Sequence, residues 1–339
     1  MSDAIYIDFE ALKTTPPSPA ILGVLTDRRG TVSFEQVIVD AALRSAAVAQ
    51  PLVTVATLEA TVSRLVASGL PLVGWSVFDH DLVMRTDLPR ELKAAWHERY
   101  VNALTRARTW RTKVHPTFKI ERASEHDAKH TLDKYAALAG YKDVSRLRHG
   151  QPAKWIRHLR QQLAARGHYR RVTKQTKADW HQLLRYNRDD CYALRDIYLR
   201  ATFELEKWRA YEHTDYVVFD GKREVRFRVG SRSARLAALL ARHGADRWAF
   251  LTAWNPGSQP LSRAENDTRQ DALLERLASE GYRCLKGEGR SSDASWPPEE
   301  SILALDIPDR AARAIGRAFG QLAIVVGSRG KPARLTACS

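Results

Sequence analysis

Apolar and polar positions follow different periods along this chain, and the periods mark its elements. Ala4–Leu12 is an apolar run broken by two acids, Asp8 and Glu10, and reads as a strand. Ile21–Thr26 and Thr31–Val39 read as further strands around a turn at Asp27-Arg28-Arg29-Gly30, so the chain is expected to open with an antiparallel meander. Thr57–Ser68 has helical spacing and stops at Gly69. Leu70–Ser76 reads as a buried strand and Phe78–Arg85 as the start of a helix. From about Leu88 to Tyr169 the pattern is helical and basic, with apolar-periodic helices within His126–Tyr141 and over Trp155–Arg166. Trp180–Tyr211 contains no Gly or Pro and reads as one long helix.

The pattern then changes. Asp215–Val229 predicts a hairpin around Asp220-Gly221-Lys222. After it, helices over Ser233–His243, Ala264–Glu280 and Asp309–Gly320 alternate with strands over Trp248–Trp254, Tyr282–Leu285, Ser301–Asp306, Leu322–Gly327 and Ala333–Ala337. Gly287–Pro298, rich in Gly, Ser and Asp, reads as a loop. Alternation of this kind predicts an α/β domain. The expected organisation is a first domain over 1–205 with a basic helical insertion at 88–177, a linker at 206–216, and a smaller α/β domain over 217–339.

Composition sharpens this picture in two respects. The chain has 339 residues, 44% of them hydrophobic and 27% charged, which suits a soluble globular protein of two domains. Lys and Arg number 54 against 39 Asp and Glu, for a net charge of +15, which favours a polyanionic partner such as nucleic acid. Cys191, Cys284 and Cys338 are widely spaced and odd in number, so neither a disulfide framework nor a zinc site is expected and a reducing cytoplasm is the expectation. No signal peptide or membrane span is read, and a membrane partner is not expected.

Three short segments carry the chemistry. On a strand, residues two apart share a face, so Asp8 and Glu10 project together. Adjacent carboxylates repel unless a cation lies between them, and hard oxygen ligands suit Mg²⁺ or Mn²⁺. A wet edge strand explains the same pair. The second segment, Gly74-Trp75-Ser76-Val77-Phe78-Asp79-His80-Asp81, carries a strand into a helix whose first turn holds Asp79; favourable placement near a helix N-terminus explains Asp79 alone. In the third, Tyr186-Asn187-Arg188-Asp189-Asp190-Cys191, Tyr186 and Asp190 lie four apart and share a helix face, which a solvated surface also explains.

Taken together, Asp8-x-Glu10, an acid at a strand-to-helix junction, and a late Tyr-Asn-x-x-Asp-Cys resemble the motifs of the DEDD exonucleases of the ribonuclease H-like superfamily, in the form that carries Tyr in its third motif. The resemblance implies a ribonuclease H-like mixed sheet flanked by helices. It also implies two divalent ions, Mg²⁺ or Mn²⁺, held by Asp8, Glu10, Asp79 and Asp190, with Tyr186 orienting the attacking water. The implied activity is 3′–5′ hydrolysis of DNA or RNA, from a single-stranded end. Trp75-Ser76 departs from the usual His-Asn of the second motif, and Asp81 stays open as an alternative to Asp79.

Arg157, Arg160, Arg166, Arg170, Arg171, Lys174 and Lys177 are candidate phosphate contacts, and Trp155, Tyr169 and Trp180 are either stacking platforms or core. Around residues 215–338 the pieces FLTAWNP, EN..R, W..E.S and FGQ.AI resemble a bacterial family of unknown function. There, Asn255, Asn266, Arg269, Glu299 and Gln321 fall near element ends, where α/β folds place ligands, although capping and turn chemistry explain each singly. Two other readings stay open: a nuclease-fold module that only binds nucleic acid, and a protein whose active part is the C-terminal domain.

Overall fold

The computed structural model describes residues 3–12, 14, 18–49, 52–121, 130–141, 144, 147, 151–293 and 296–338. The chain is mixed α/β and divides into two compact units, Met1–Thr109 with Ile120–Ala201, and Trp110–Lys119 with Thr202–Ser339.

The first unit is built on strands β1 (Ala4–Leu12), β2 (Ser18–Arg28), β3 (Thr31–Ile38), β4 (Val53–Val55), β5 (Leu72–Gly74) and β6 (Tyr100–Asn102). They form one mixed sheet in the order β4-β3-β2-β1-β5-β6. The first three strands are the expected antiparallel meander, and β4, β5 and β6 join in parallel. The helices are α1 (Leu58–Ala67), α2 (Val77–Met84), α3 (Arg90–Arg99), α4 (Ala103–Val114), α5 (Leu132–Leu138), α6 (Pro152–Arg166) and α7 (Lys174–Glu212).

β1 is central, so both of its faces are covered. Ile5, Ile7 and Phe9 pack with Val62 and Leu65 of α1, Leu82 of α2 and Trp96 of α3. Ala4 and Tyr6 face the other way, onto Cys191 and Leu194 of α7. By the two-residue period of a strand, Asp8 and Glu10 continue the face that α7 covers. Further along that side, Leu12, Ala20 and Ile21 pack with Ile156, Leu159 and Leu163 of α6 and with Leu183 and Leu184 of α7.

Three expectations are corrected here. The stretch 88–177 is not an appended insertion, because its three residues Tyr100–Asn102 supply the sixth strand and its α6 closes the core over β1. A strand of three residues is too short to show a period. A 3₁₀ helix at Ala41–Ala49 and strand β4 were likewise not expected. Residues 206–212 of the expected linker are the last turns of α7, which has no Gly or Pro to end it earlier. Of the helix expected within His126–Tyr141, α5 lies in the described residues, whereas 126–129 lie outside them.

The second unit holds β7 (Asp215–Asp220), β8 (Arg223–Phe227), β9 (Arg247–Leu251), β10 (Cys284–Arg290), β11 (Glu299–Leu305), β12 (Ala323–Ser328) and β13 (Arg334–Ala337). Their order is β13-β12-β9-β11-β10-β7-β8, and every neighbouring pair is antiparallel. The helices are α8 (Ala234–Arg242), α9 (Arg263–Ser279) and α10 (Asp309–Ala318). Trp248 and Phe250 face Leu236 and Leu239 of α8, while Ala249 and Leu251 face Leu273 of α9 and Ile315 of α10. The middle of the sheet is therefore buried on both sides, and β9, β12 and the end of β11 read as continuous apolar runs although they are antiparallel. The expected loop at Gly287–Pro298 is strand as far as Arg290, because a Cβ at Gly287 would fall 2.7 Å from the Phe250 ring and 2.5 Å from the Val217 carbonyl. That glycine admits a close-packed aromatic ring.

Among the described residues, no helix is long and apolar enough to cross a membrane.

Candidate metal centre

Asp8 and Glu10 lie near the end of β1, where the pairing with β2 shifts register between Glu10 and Ala11. Such a bulge re-aims side chains. Across from them, α7 presents Asp190. One carboxylate oxygen from each of Asp8, Glu10 and Asp190 falls within 4.8 Å of the others. Glu10 and Asp190 are buried, and Asp8 keeps part of its surface open.

The helix approaches this closely because of Gly23, which pairs with Asp8 on β2. A Cβ there would lie 2.6 Å from Asn187 Oδ1 and 2.8 Å from Cys191 Sγ. Asn187, fully buried, fills the space. Its Nδ2 donates to the Asp8 carbonyl at 2.9 Å and to Asp8 Oδ2 at 2.7 Å. Its Oδ1 accepts from Gln36 Nε2 at 2.8 Å, and the same Gln36 nitrogen reaches the Leu184 carbonyl at 2.9 Å. Gln36 thereby sets the orientation of the Asn187 amide, and Asn187 holds Asp8. Gly23, Gln36 and Asn187 were not expected at the site. Only Asn187 had a signal, as the residue after Tyr in the third motif.

Asp79 reaches the site by another route. β5 ends at Gly74, and Ser76 caps α2 by accepting from the Phe78 amide at 3.2 Å. Three positions past the pairing of Tyr6 with Val73, the β1 amide of Phe9 donates instead to Asp79 Oδ1 at 3.0 Å. Asp79 is buried, at 4% exposure. Asp81 points elsewhere: its side chain is 44% exposed and pairs with His80 Nδ1 at 2.9 Å. Of the two acids left open, Asp79 is the one beside β1.

The electrostatics are one-sided. Burial pushes Asp8 well above the usual carboxylate range, and the charges of Glu10, Asp190 and Asp79 push it further, against the hydrogen bond from Asn187. Glu10 rises from burial and from Asp190 and Asp79. Asp190 rises from burial, partly offset by a hydrogen bond from Tyr186. Asp79 rises to about 7, from burial opposed by backbone amides. Among the described residues, no Lys or Arg pairs with any of the four. Asp190 Oδ1 is buried and has no hydrogen-bond partner among the described residues. Burial also raises the Tyr186 hydroxyl, as do the adjacent carboxylates, so it stays protonated at any working pH.

The arrangement fits hard divalent cations. Buried, mutually repelling carboxylates with an orphaned oxygen lack the positive charge that would offset their desolvation. Asp8, Glu10 and Asp190 form the group able to hold an ion, with Asp79 adjoining.

The other expected residues divide. Arg157, Arg166, Arg170, Arg171 and Lys174 are exposed. Arg160 is partly engaged by Asp40 at 3.4 Å, and Lys177 Nζ donates to the Arg170 carbonyl at 2.9 Å. The stacking expectation is corrected: Trp180 and Tyr169 are buried in the core under α6, and Trp155 packs against it.

In the second unit, Asn255, Asn266, Glu299 and Gln321 line one cleft of about 870 Å³. Arg269 is not in its lining; it ties the Ala253 and Phe319 carbonyls together at 2.9 and 2.6 Å. Residues 251–324 match the model of a family described as protein of unknown function, DUF3293. No curated protein and no solved structure matches the chain. The matched segment contains those four cleft residues, and the carboxylate centre lies outside it.

Proposed function

We propose that the first unit is a metal-dependent 3′–5′ exonuclease of the DEDD type on a ribonuclease H-like sheet. The observation that carries this reading is the cluster of Asp8, Glu10 and Asp190 with Asp79 adjoining, which among the described residues has no compensating Lys or Arg and leaves Asp190 Oδ1 unpartnered. The 3′–5′ polarity comes with the motif resemblance.

Asp8, Glu10 and Asp190, with Asp79 beside them, would hold Mg²⁺ or Mn²⁺. When bound, such ions supply Lewis acidity, which makes a water nucleophilic at neutral pH and offsets charge on the phosphoryl group. Asn187 holds Asp8 Oδ2 and so fixes that carboxylate's rotation. Tyr186 stays protonated and so does not act as a base; it donates its one O–H to Asp190, and its oxygen is left to accept from a water that it orients. Arg157, Arg170, Arg171 and Lys174 give the strand's phosphates an exposed basic surface in the same unit.

The test uses 5′-labelled single-stranded DNA and RNA with Mg²⁺, Mn²⁺ or EDTA. The expected result is a metal-dependent ladder shortening from the 3′ end, absent in Asp8→Ala/Glu10→Ala. Tight, salt-sensitive binding without cleavage would replace the reading with a binding module.

A further inference from the structure

The second unit's cleft has a chemistry that its fold does not use up. Its walls come from segments far apart in sequence, among them Tyr211, Trp254, Asn255, Asn266, Trp296–Ser301 and Gln321. Part of this polar set only holds the cleft's shape. Asn255, in the left-handed region at φ 46°, donates its amide to Asn266 Oδ1 at 2.9 Å and accepts from the Leu261 amide at 3.0 Å. Gln321 Nε2 holds the Trp254 carbonyl at 2.8 Å. These bonds fix the turn after β9.

Glu299 stands apart from that scaffolding. Its Oε1 accepts from Asn255 Nδ2 at 2.5 Å, and among the described residues no cation pairs with it directly, although the charge of Lys207 on the same cleft acts on it. A carboxylate has about four acceptor positions and this bond uses one. By contrast, Glu288 in the same cleft is neutralised by Arg290, which also pairs with Glu224. Two indoles flank the site. Trp296 lies against Gly289, where even a Cβ would make only ordinary contact at 3.6 Å, and the buried Trp254 ring N–H has no acceptor among the described residues. The cleft thus offers an aromatic side chain and a carboxylate with spare acceptor positions.

That set is complementary to a guanine ring, whose edge presents two adjacent N–H donors beside a carbonyl oxygen. Adenine presents a ring-nitrogen acceptor where the carboxylate needs a donor. A carboxylate that can take paired donors, with aromatic stacking, is how proteins read a base outside a duplex. We propose that the cleft of the second unit binds a guanine base, with Glu299 accepting from its N–H edge and Trp296 stacking on its face. The base can arrive as a free nucleotide or within an oligonucleotide. The proposal is independent of catalysis at the carboxylate centre.

The experiment is calorimetric titration of the full chain in EDTA, which leaves the carboxylate centre without divalent ions, using GMP, IMP, AMP and a short G-containing oligonucleotide. IMP lacks the exocyclic amine of GMP and keeps the rest of the edge. GMP is expected to bind saturably, about tenfold more tightly than IMP, which is one hydrogen bond's difference, and more tightly still than AMP. Glu299→Gln replaces acceptors with a donor and is expected to erase the GMP–IMP difference. Trp296→Ala, at a side chain outside the hydrophobic core clusters, is expected to weaken all the nucleotides together and guards against misfolding in the first variant. Oligonucleotide binding that is tighter than that of GMP and is weakened by Glu299→Gln would assign the base to a nucleic-acid strand; oligonucleotide binding that Glu299→Gln leaves unchanged belongs to the basic surface of the first unit and would assign a free nucleotide to the cleft. No saturable GMP binding, equal GMP and AMP affinity, or unchanged base preference in a folded Glu299→Gln would overturn the proposal.

Discussion

The carboxylate centre of the first unit and the paired acids along the second unit's sheet are handled in opposite ways. In the second unit, Arg228 holds Asp215 below the usual carboxylate range, and Arg242 with His243 does the same for Asp220. Asp306 is lowered by the amides of Asp246 and Arg247 and by Arg283. In the first unit, Asp8, Glu10, Asp79 and Asp190 are all raised, chiefly by burial, and for Asp8, Glu10 and Asp190 by the charges of other acids as well. The first pattern contributes modestly to stability. The second costs stability, since desolvated like charges repel. A chain with 54 Lys and Arg residues has ample means to neutralise four acids. That it does so in one unit and not at this centre is the strongest physical argument that the centre is built for something other than stability.

Removing one acid tests this most severely. Asp190→Asn is expected to reduce nuclease activity at least about 10³-fold while raising the stability of the metal-free protein by on the order of 1–3 kcal/mol. Activity is read on labelled oligonucleotides and stability by urea denaturation in EDTA. Loss of stability in EDTA would mean that the charge is compensated after all.

Asn187→Ala should act in the opposite direction. It strips partners from Asp8 Oδ2, the Asp8 carbonyl and Gln36 Nε2, all next to a fully buried position, and is expected to cost about 2–4 kcal/mol. A denaturation midpoint equal to wild type would show that Asn187 does not hold Asp8.

The pH dependence has a defined sign. A raised carboxyl keeps its proton to higher pH in the folded chain than in the unfolded chain, where carboxylates ionise near pH 4. The folded state then binds more protons between about 4 and the value near 7 at Asp79, so this group's contribution declines as pH rises through that window. For Asp215 and Asp220 the sign is reversed: their contribution is present above the ordinary carboxylate value and is lost as pH falls below it. Comparing wild type with Asp79→Asn in EDTA isolates the first effect. The variant's advantage should grow from pH 4 to pH 7, and a constant gap would contradict the assignment.

The smallest effect is expected in the second unit. Arg242→Gln breaks a pair whose Arg side chain is 44% exposed, and the melting temperature should move by no more than about 2 °C, less in high salt.

The separate elements of the first unit could be read from the chain because each carries a period. β1 alternates faces around Asp8 and Glu10, and α7 runs 39 residues without a breaker. Their meeting was less accessible. It depends on Gly23, an unremarkable glycine within a strand, and on Gln36, two strands from Asp8. No local pattern points to either. Short strands such as Tyr100–Asn102 carry too few residues for a period. Trp180 and Tyr169 illustrate the reverse difficulty: an aromatic in a basic stretch looks like a stacking platform until the core that needs it is seen. In the second unit, the gathering of Asn255, Asn266, Glu299 and Gln321 depends on the antiparallel order of the sheet, which helix–strand alternation alone does not reveal.

The most direct test of the central claim is calorimetric titration of Mn²⁺ into the metal-free protein, wild type against Asp190→Asn, in two buffers of different ionisation enthalpy. The account predicts saturable binding by wild type with release of protons from the raised carboxyls, and strongly weakened binding by the variant. No saturable binding, or equal binding by both proteins, would contradict it.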